Sequence, residues 1–148
     1  MSRRGFACIA LDHPKAPQNI GGVMRIAGNF EADLIVLGNP RCPVRHAADP
    51  QKNYRHIPVL RVDDVFDALP FDCVPVAIDL LPNARPLRTY THPERAFYIF
   101  GAEDATLGER ITHRCRDVVF VETARCMNLA VTAAVVLYDR AVKMWRTA

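Results

Sequence analysis

The chain has 148 residues, half of them hydrophobic and 24% charged, with a formal net charge of +3; that size suits one domain with a real core and leaves no room for a second. No segment approaches the roughly 20 apolar residues of a membrane span, and the apolar run in MSRRGFACIAL is too short for a secretory signal, so a cytoplasmic protein with no membrane partner is expected. The 19 basic residues are mostly arginine, and their forked guanidinium groups favour a phosphate-bearing partner.

The first element, FACIAL (6–11), is a continuous apolar run and reads as a strand covered on both faces. After it, NIGGVMRIAGNF predicts a helix over 20–30, with Ile20, Val23, Met24 and Ala27 on one buried stripe. Arg25 stands on the other side among Gly21, Gly22, Gly28 and Asn29. Each glycine costs a helix up to about 1 kcal/mol relative to alanine, so this bareness needs a reason. Two readings stay open here: another element packs closely on the glycines, or the bare face docks a ligand with Arg25 at its centre. Asn19 is either the helix N-cap or a group pointing into the same cleft.

LIVLG (34–38) is the next strand, and NPRCPVRHAADPQKNYRHIP (39–58) is a long basic loop carrying Arg41, Arg45, His46, Lys52, Arg55 and His56. Loops of this length are usually functional or mobile. PVLRV (58–62) is a weaker strand, 63–69 a short helix, and VPVAIDL (74–80) a buried strand. In FYIFGAEDATLGERI a strand over 97–101 ends in Gly101, and Ala102, Glu103, Asp104 and Ala105 follow before a helix over 107–114. Small residues at a strand's carboxyl end let backbone groups reach a ligand, although neither a G-x-G-x-x-G fingerprint nor a P-loop is present.

VVFV (118–121) then leads through Cys126 and Asn128 into a helix over 129–145. That helix is apolar nearly all round in its first half, which points to burial against a partner subunit, with Asp139, Arg140, Lys143 and Arg146 emerging at the rim. Five scattered cysteines, without a C-x-x-C pair, read as reduced thiols in or near a core rather than disulfides or metal ligands; Cys126 lacks a paired base and reads as a small, largely buried thiol. Alternating strands and helices make the fold α/β, a mostly parallel sheet flanked by helices on both faces.

Taken together, N-x-G-x-x-x-R (Asn19, Gly21, Arg25), a strand ending G-x-E (Gly101, Glu103), and C-M-N-L-A running into a helix that ends L-Y-D-R resemble the SPOUT methyltransferases of the TrmH type. The resemblance spans residues 6 to 140 and implies a sheet whose C-terminal part is tied in a deep trefoil knot, a rare exception to unknotted chains. It further implies S-adenosyl-L-methionine as cofactor, no metal, a homodimer with its active site near the subunit interface, and ribose 2′-O-methylation of RNA. By position, Gly101, Ala102, Glu103, Phe120, Val121, Cys126, Met127, Asn128 and Leu129 would contact the cofactor, and Asn19, Arg25, Glu103 and Asn128 match catalytic or substrate-orienting positions.

One domain over 1–148 without an appended RNA-binding domain resembles the minimal tRNA enzymes more than the larger rRNA ones. Ala105 and Thr106 replace a glycine-richer turn, and Cys126 stands where serine is common. On this reading Gly21, Gly22 and Gly28 keep bulk away so that an RNA phosphate can reach Arg25, while Arg41, Arg45, Lys52 and Arg55 with the basic C-terminal end add sequence-blind phosphate contacts. The competing readings are an inactive RNA-binding homologue and a SPOUT enzyme that methylates a base nitrogen.

Overall fold

A computed structural model describes residues 5–44 and 52–146, the side chains of 145 and 146 excepted. The elements are β1 (Phe6–Asp12), α1 (Pro17–Asn29), β2 (Leu34–Gly38), β3 (Val59–Val62), β4 (Val74–Ile78), β5 (Arg85–Pro86), β6 (Arg95–Phe100), α2 (Glu109–Thr112), β7 (Asp117–Phe120) and α3 (Leu129–Arg146). They form a seven-stranded sheet in the order β3-β2-β1-β6-β4-β7-β5, and every pairing is parallel. The continuous apolar runs have the expected cause. Along β1, Ile9 and Leu11 face a core shared with α1 and α3, while Cys8 and Ala10 face a second core with Val65, Leu107 and Ile111.

The six strands expected from apolar runs are present. β5 is additional: two residues, Arg85 and Pro86, carry no hydrophobic pattern and join the sheet only because β7 offers an edge. The helix expected at 63–69 is a single 3-10 turn, Val65–Ala68, whose first turn is capped by Asp64 Oδ1 accepting from the Phe66 N–H at 3.0 Å. α2 keeps only four residues of the expected eight. α1 starts at Pro17, a residue pre-set for the first helical turn, so Ala16 holds the N-cap position and Asn19 lies inside the helix with its side chain free for other work.

Two late strands insert between earlier ones: β6 lies between β1 and β4, and β7 between β4 and β5. Winding reverses at β1, with β2 and β3 on one side and the other four strands on the other, which opens a crevice at the strands' carboxyl ends. α3 begins beside that crevice and runs back to the sheet's amino edge. Its Leu129, Ala133, Val136 and Leu137 are buried against the sheet and α1, whereas Val131 and Tyr138 are 50% and 61% exposed. Among the described residues no helix is long and apolar enough to cross a membrane.

The charged end of α3 does not emerge at the rim as expected. Arg140 is buried and donates to the carbonyls of Phe6, Pro93 and Glu94 and to the Tyr98 hydroxyl, at 2.6–3.3 Å. Lys143 donates to the carbonyls of Leu87 and Tyr90, and Asp139 pairs with Lys143 and His92. Carbonyls where β1 and β6 start need donors, and a planar five-donor fork meets several at once. The basic end is therefore an anchor, not a phosphate contact; the Arg146 side chain lies outside the described residues.

Candidate active site

A cleft of about 970 Å³ opens where β4, β6 and β7 end. Three turns build it: Asp79 and Leu80 after β4, Gly101 to Thr106 after β6, and Val121 to Met127 after β7, with Leu129 and Thr132 of α3 closing one side. Of the residues expected at a cofactor, Gly101, Ala102, Glu103, Phe120, Val121, Cys126, Met127 and Leu129 line this cleft. Asn128 is not on its wall. The Asn128 carboxamide oxygen accepts from the N–H groups of Ala130 and Val131 at 2.9 and 3.3 Å, capping α3, and its Nδ2 donates to Asn19 Oδ1 at 2.8 Å. Cys126 is exposed rather than buried, because its turn forms the outer lip of the cleft. Cys8 and Cys73 are the cysteines in the core.

Glu103 ties the cleft to α1. Its carboxylate accepts from the N–H groups of Lys15 and Ala16 at 3.0 and 3.3 Å and from Asn19 Nδ2 at 2.8 Å. Partial burial pushes its pKa up, but these hydrogen bonds outweigh burial and hold it below the usual glutamate value. Glu103, Asn19 and Asn128 thus form one hydrogen-bonded chain across sequence separations of 84 and 109 residues. Asp79 supports the same loop from below: its Oδ2 accepts from the Leu107 N–H at 2.7 Å and its Oδ1 from the Leu80 N–H at 2.8 Å. Nothing in the motif pattern marked Asp79.

Arg25 is exposed on α1 and makes no ion pair or hydrogen bond among the described residues. It is not on the cleft wall. The glycines around it serve the fold: a Cβ on Gly22 would stand 2.9 Å from the Ala130 Cβ of α3, and one on Gly28 would collide with the Asn53 carboxamide. The close-packing reading therefore holds for both, and the idea that they clear space for RNA is corrected. Of the basic loop, Lys52 and Arg55 are exposed beside a 3-10 turn, Asn53–Arg55. Arg45 lies outside the described residues. Arg41 is committed to Asp104, with Nη1 and Nη2 at 3.1 and 2.7 Å from the two carboxylate oxygens.

The model of the SpoU rRNA methylase family matches residues 7–138. The chain belongs to that family. Its fold is similar to the SpoU methyltransferase AviRb from Streptomyces viridochromogenes, at 21% identity and a TM-score of 0.82 over 98% of this chain and 62% of that one. An AdoMet-bound rRNA methyltransferase from Sinorhizobium meliloti matches at 22% identity and 0.83 over 96% and 58%. A structure of the 2-OH methylation of C/U34 on tRNA matches at 20% identity and 0.81 over 98% and 94%. The chain spans about three fifths of the length of the first two and nearly all of the third. No curated protein matches it significantly.

As a SpoU-family cleft, the cavity has the chemistry to hold S-adenosylmethionine. Ile78, Leu80, Phe100, Phe120 and Leu129 give it apolar walls for an adenine. Asp79 and Glu103 line it without a basic side chain in ion-pair range among the described residues, so negative charge remains for a sulfonium and an ammonium. Asp104 and Glu122, by contrast, are neutralised by Arg41 and Arg88 at 2.7 and 2.8 Å.

Proposed function

We propose that this SpoU-family chain transfers a methyl group from S-adenosylmethionine to a ribose 2′-hydroxyl of RNA, with tRNA as substrate, as a cytoplasmic homodimer whose C-terminal part carries the deep knot of its relatives. The observation that carries this reading is the Glu103–Asn19–Asn128 chain, which ties the loop after β6, the first turn of α1 and the start of α3 together at a cofactor-sized acidic cleft. The near-complete coverage of the structure concerned with tRNA 2-OH methylation supports tRNA over rRNA. A homodimer is supported by the exposed apolar residues Val131 and Tyr138 on α3.

When bound, S-adenosylmethionine supplies a methyl carbon already activated by its sulfonium. The protein's task is to align the ribose oxygen and remove its proton. Glu103 is a poor base because its hydrogen bonds stabilise the carboxylate, and Arg25 cannot be one because guanidinium stays protonated. Arg25 instead grips the phosphate beside the target ribose and so aligns the 2′-oxygen with the methyl carbon; as the methyl transfers, the hydroxyl proton becomes acidic and that phosphate helps relay it to water. Asn19 is held at both ends of its carboxamide yet keeps one N–H and one lone pair for substrate.

Incubation with methyl-labelled S-adenosylmethionine and bulk tRNA, followed by alkaline digestion, tests the reading. Labelled alkali-resistant dinucleotides are the expected product, since a 2′-O-methyl blocks cleavage. Label confined to alkali-sensitive mononucleotides assigns base methylation instead. Cofactor binding without any transfer makes the chain a non-catalytic homologue.

A further inference from the structure

Composition makes Arg41 a phosphate contact; its surroundings give it a different task. The loop from Gly101 to Leu107 has almost no structure of its own, and one long backbone bond, Ala105 N–H to Ala102 carbonyl at 3.3 Å, is its internal support. Carboxylates fix its place. Glu103 holds the turn before α1, Asp79 just after β4 takes the Leu107 N–H, and Asp104 takes both arms of the Arg41 fork from 63 residues back in the chain.

Arg41 is itself fixed before it reaches Asp104. Its Nε donates to the His13 carbonyl at 3.1 Å, and its backbone N–H donates to the Pro14 carbonyl at 2.9 Å. All three guanidinium nitrogens are thereby engaged within the protein. Lys15 Nζ stands 3.8 Å from the same Asp104 carboxylate, which places Asp104 between two cations. Bidentate pairing of this kind is directional as well as attractive, and here its direction runs across the rim of the cleft.

We infer that Arg41 is a positioning residue, clamping Asp104 so that the Gly101–Leu107 loop is held in shape over the cleft and tied to the chain just after β2. The inference rests on the cleft's being the S-adenosylmethionine site. Coupling is reciprocal: the clamp that orders the loop favours cofactor binding, and a cofactor that orders the loop tightens the Arg41–Asp104 pair.

The test combines calorimetry with S-adenosylmethionine, hydrogen exchange of the 101–107 segment without cofactor, and salt-dependent tRNA binding. R41A and D104N should each raise the cofactor Kd about fivefold, the upper end for an exposed ion pair, and both should speed exchange in the loop. The swap R41D/D104R should restore most of both. R41A should leave the salt slope of tRNA binding unchanged, whereas K52A should reduce it by about 1. Wild-type exchange and cofactor affinity in R41A, joined to a shallower salt slope, overturn the inference and return Arg41 to phosphate. If the wild-type protein binds no S-adenosylmethionine, the reading of the cleft fails on its own; exchange in R41A still decides whether the clamp exists.

Discussion

Arg25, Arg41 and Arg140 carry the same side chain and have three different fates. Arg25 is exposed, with no ion-pair or hydrogen-bond partner among the described residues, so its charge is available to a polyanion. R25A should therefore lower methyl transfer by at least about 100-fold, the scale of a lost positioning contact, while calorimetry finds cofactor affinity within about twofold of wild type. Loss of cofactor binding would contradict its role. His92 is a residue the motif pattern never marked. It is buried between the Tyr98 hydroxyl at 2.7 Å and Asp139 at 2.8 Å, and burial lowers its pKa from 6.5 to about 4 despite the opposing pull of Asp139. Below pH 6.5 the unfolded chain takes up a proton that the folded chain refuses, so stability present above that pH is lost as pH falls toward 4. Urea unfolding should show about 2 kcal/mol lost between pH 7 and pH 5 through this site, and a matching part of that loss should be missing in H92Q.

At the scale of elements, α3 does two jobs at its two ends. Its first turn, capped by Asn128, stands at the cleft and touches α1 through the Gly22–Ala130 approach. Its last turns are fastened at the opposite edge of the sheet by Arg140 and Lys143. Removing the buried guanidinium takes a donor from the carbonyls of Phe6, Pro93 and Glu94, of which Glu94 keeps the Phe6 N–H, and a buried carbonyl left without a donor costs more than the lost bond alone. R140A should destabilise the fold by about 3 kcal/mol, and R140K by less, measured by urea unfolding. Because the far end of the same helix positions Asn128, a stable R140K protein should also show weaker cofactor binding. Full stability of R140A would mean that the fork is dispensable.

At the scale of the molecule, α3 retains an exposed apolar line through Val131 and Tyr138, with Phe30, the C-cap of α1, edge-on to Tyr138 at 6.5 Å between ring centres. A monomer gains nothing from showing these groups to water, and a second copy would cover them. The wild-type protein should sediment as a dimer and V131E/Y138E as a monomer, with cofactor binding weakened less than methyl transfer. A wild-type monomer that is fully active would remove the dimer from the proposed function.

Six strands and the α/β class follow from the amino-acid order, because burial on both faces demands continuous apolar runs that any window reveals. The family follows too, since the motifs keep residue types in order along the chain, and the motif residues Asn19, Glu103 and Asn128 are hydrogen-bonded to one another. Partner choice does not follow. That Arg41 meets Asp104, that Arg140 turns inward, that Asp79 props the cleft loop, and that Gly22 and Gly28 admit Ala130 and Asn53 all depend on which strands the sheet sets side by side. A side chain's charge is local, but what neutralises it is decided by contacts between segments tens of residues apart, and only the folded sheet brings those together.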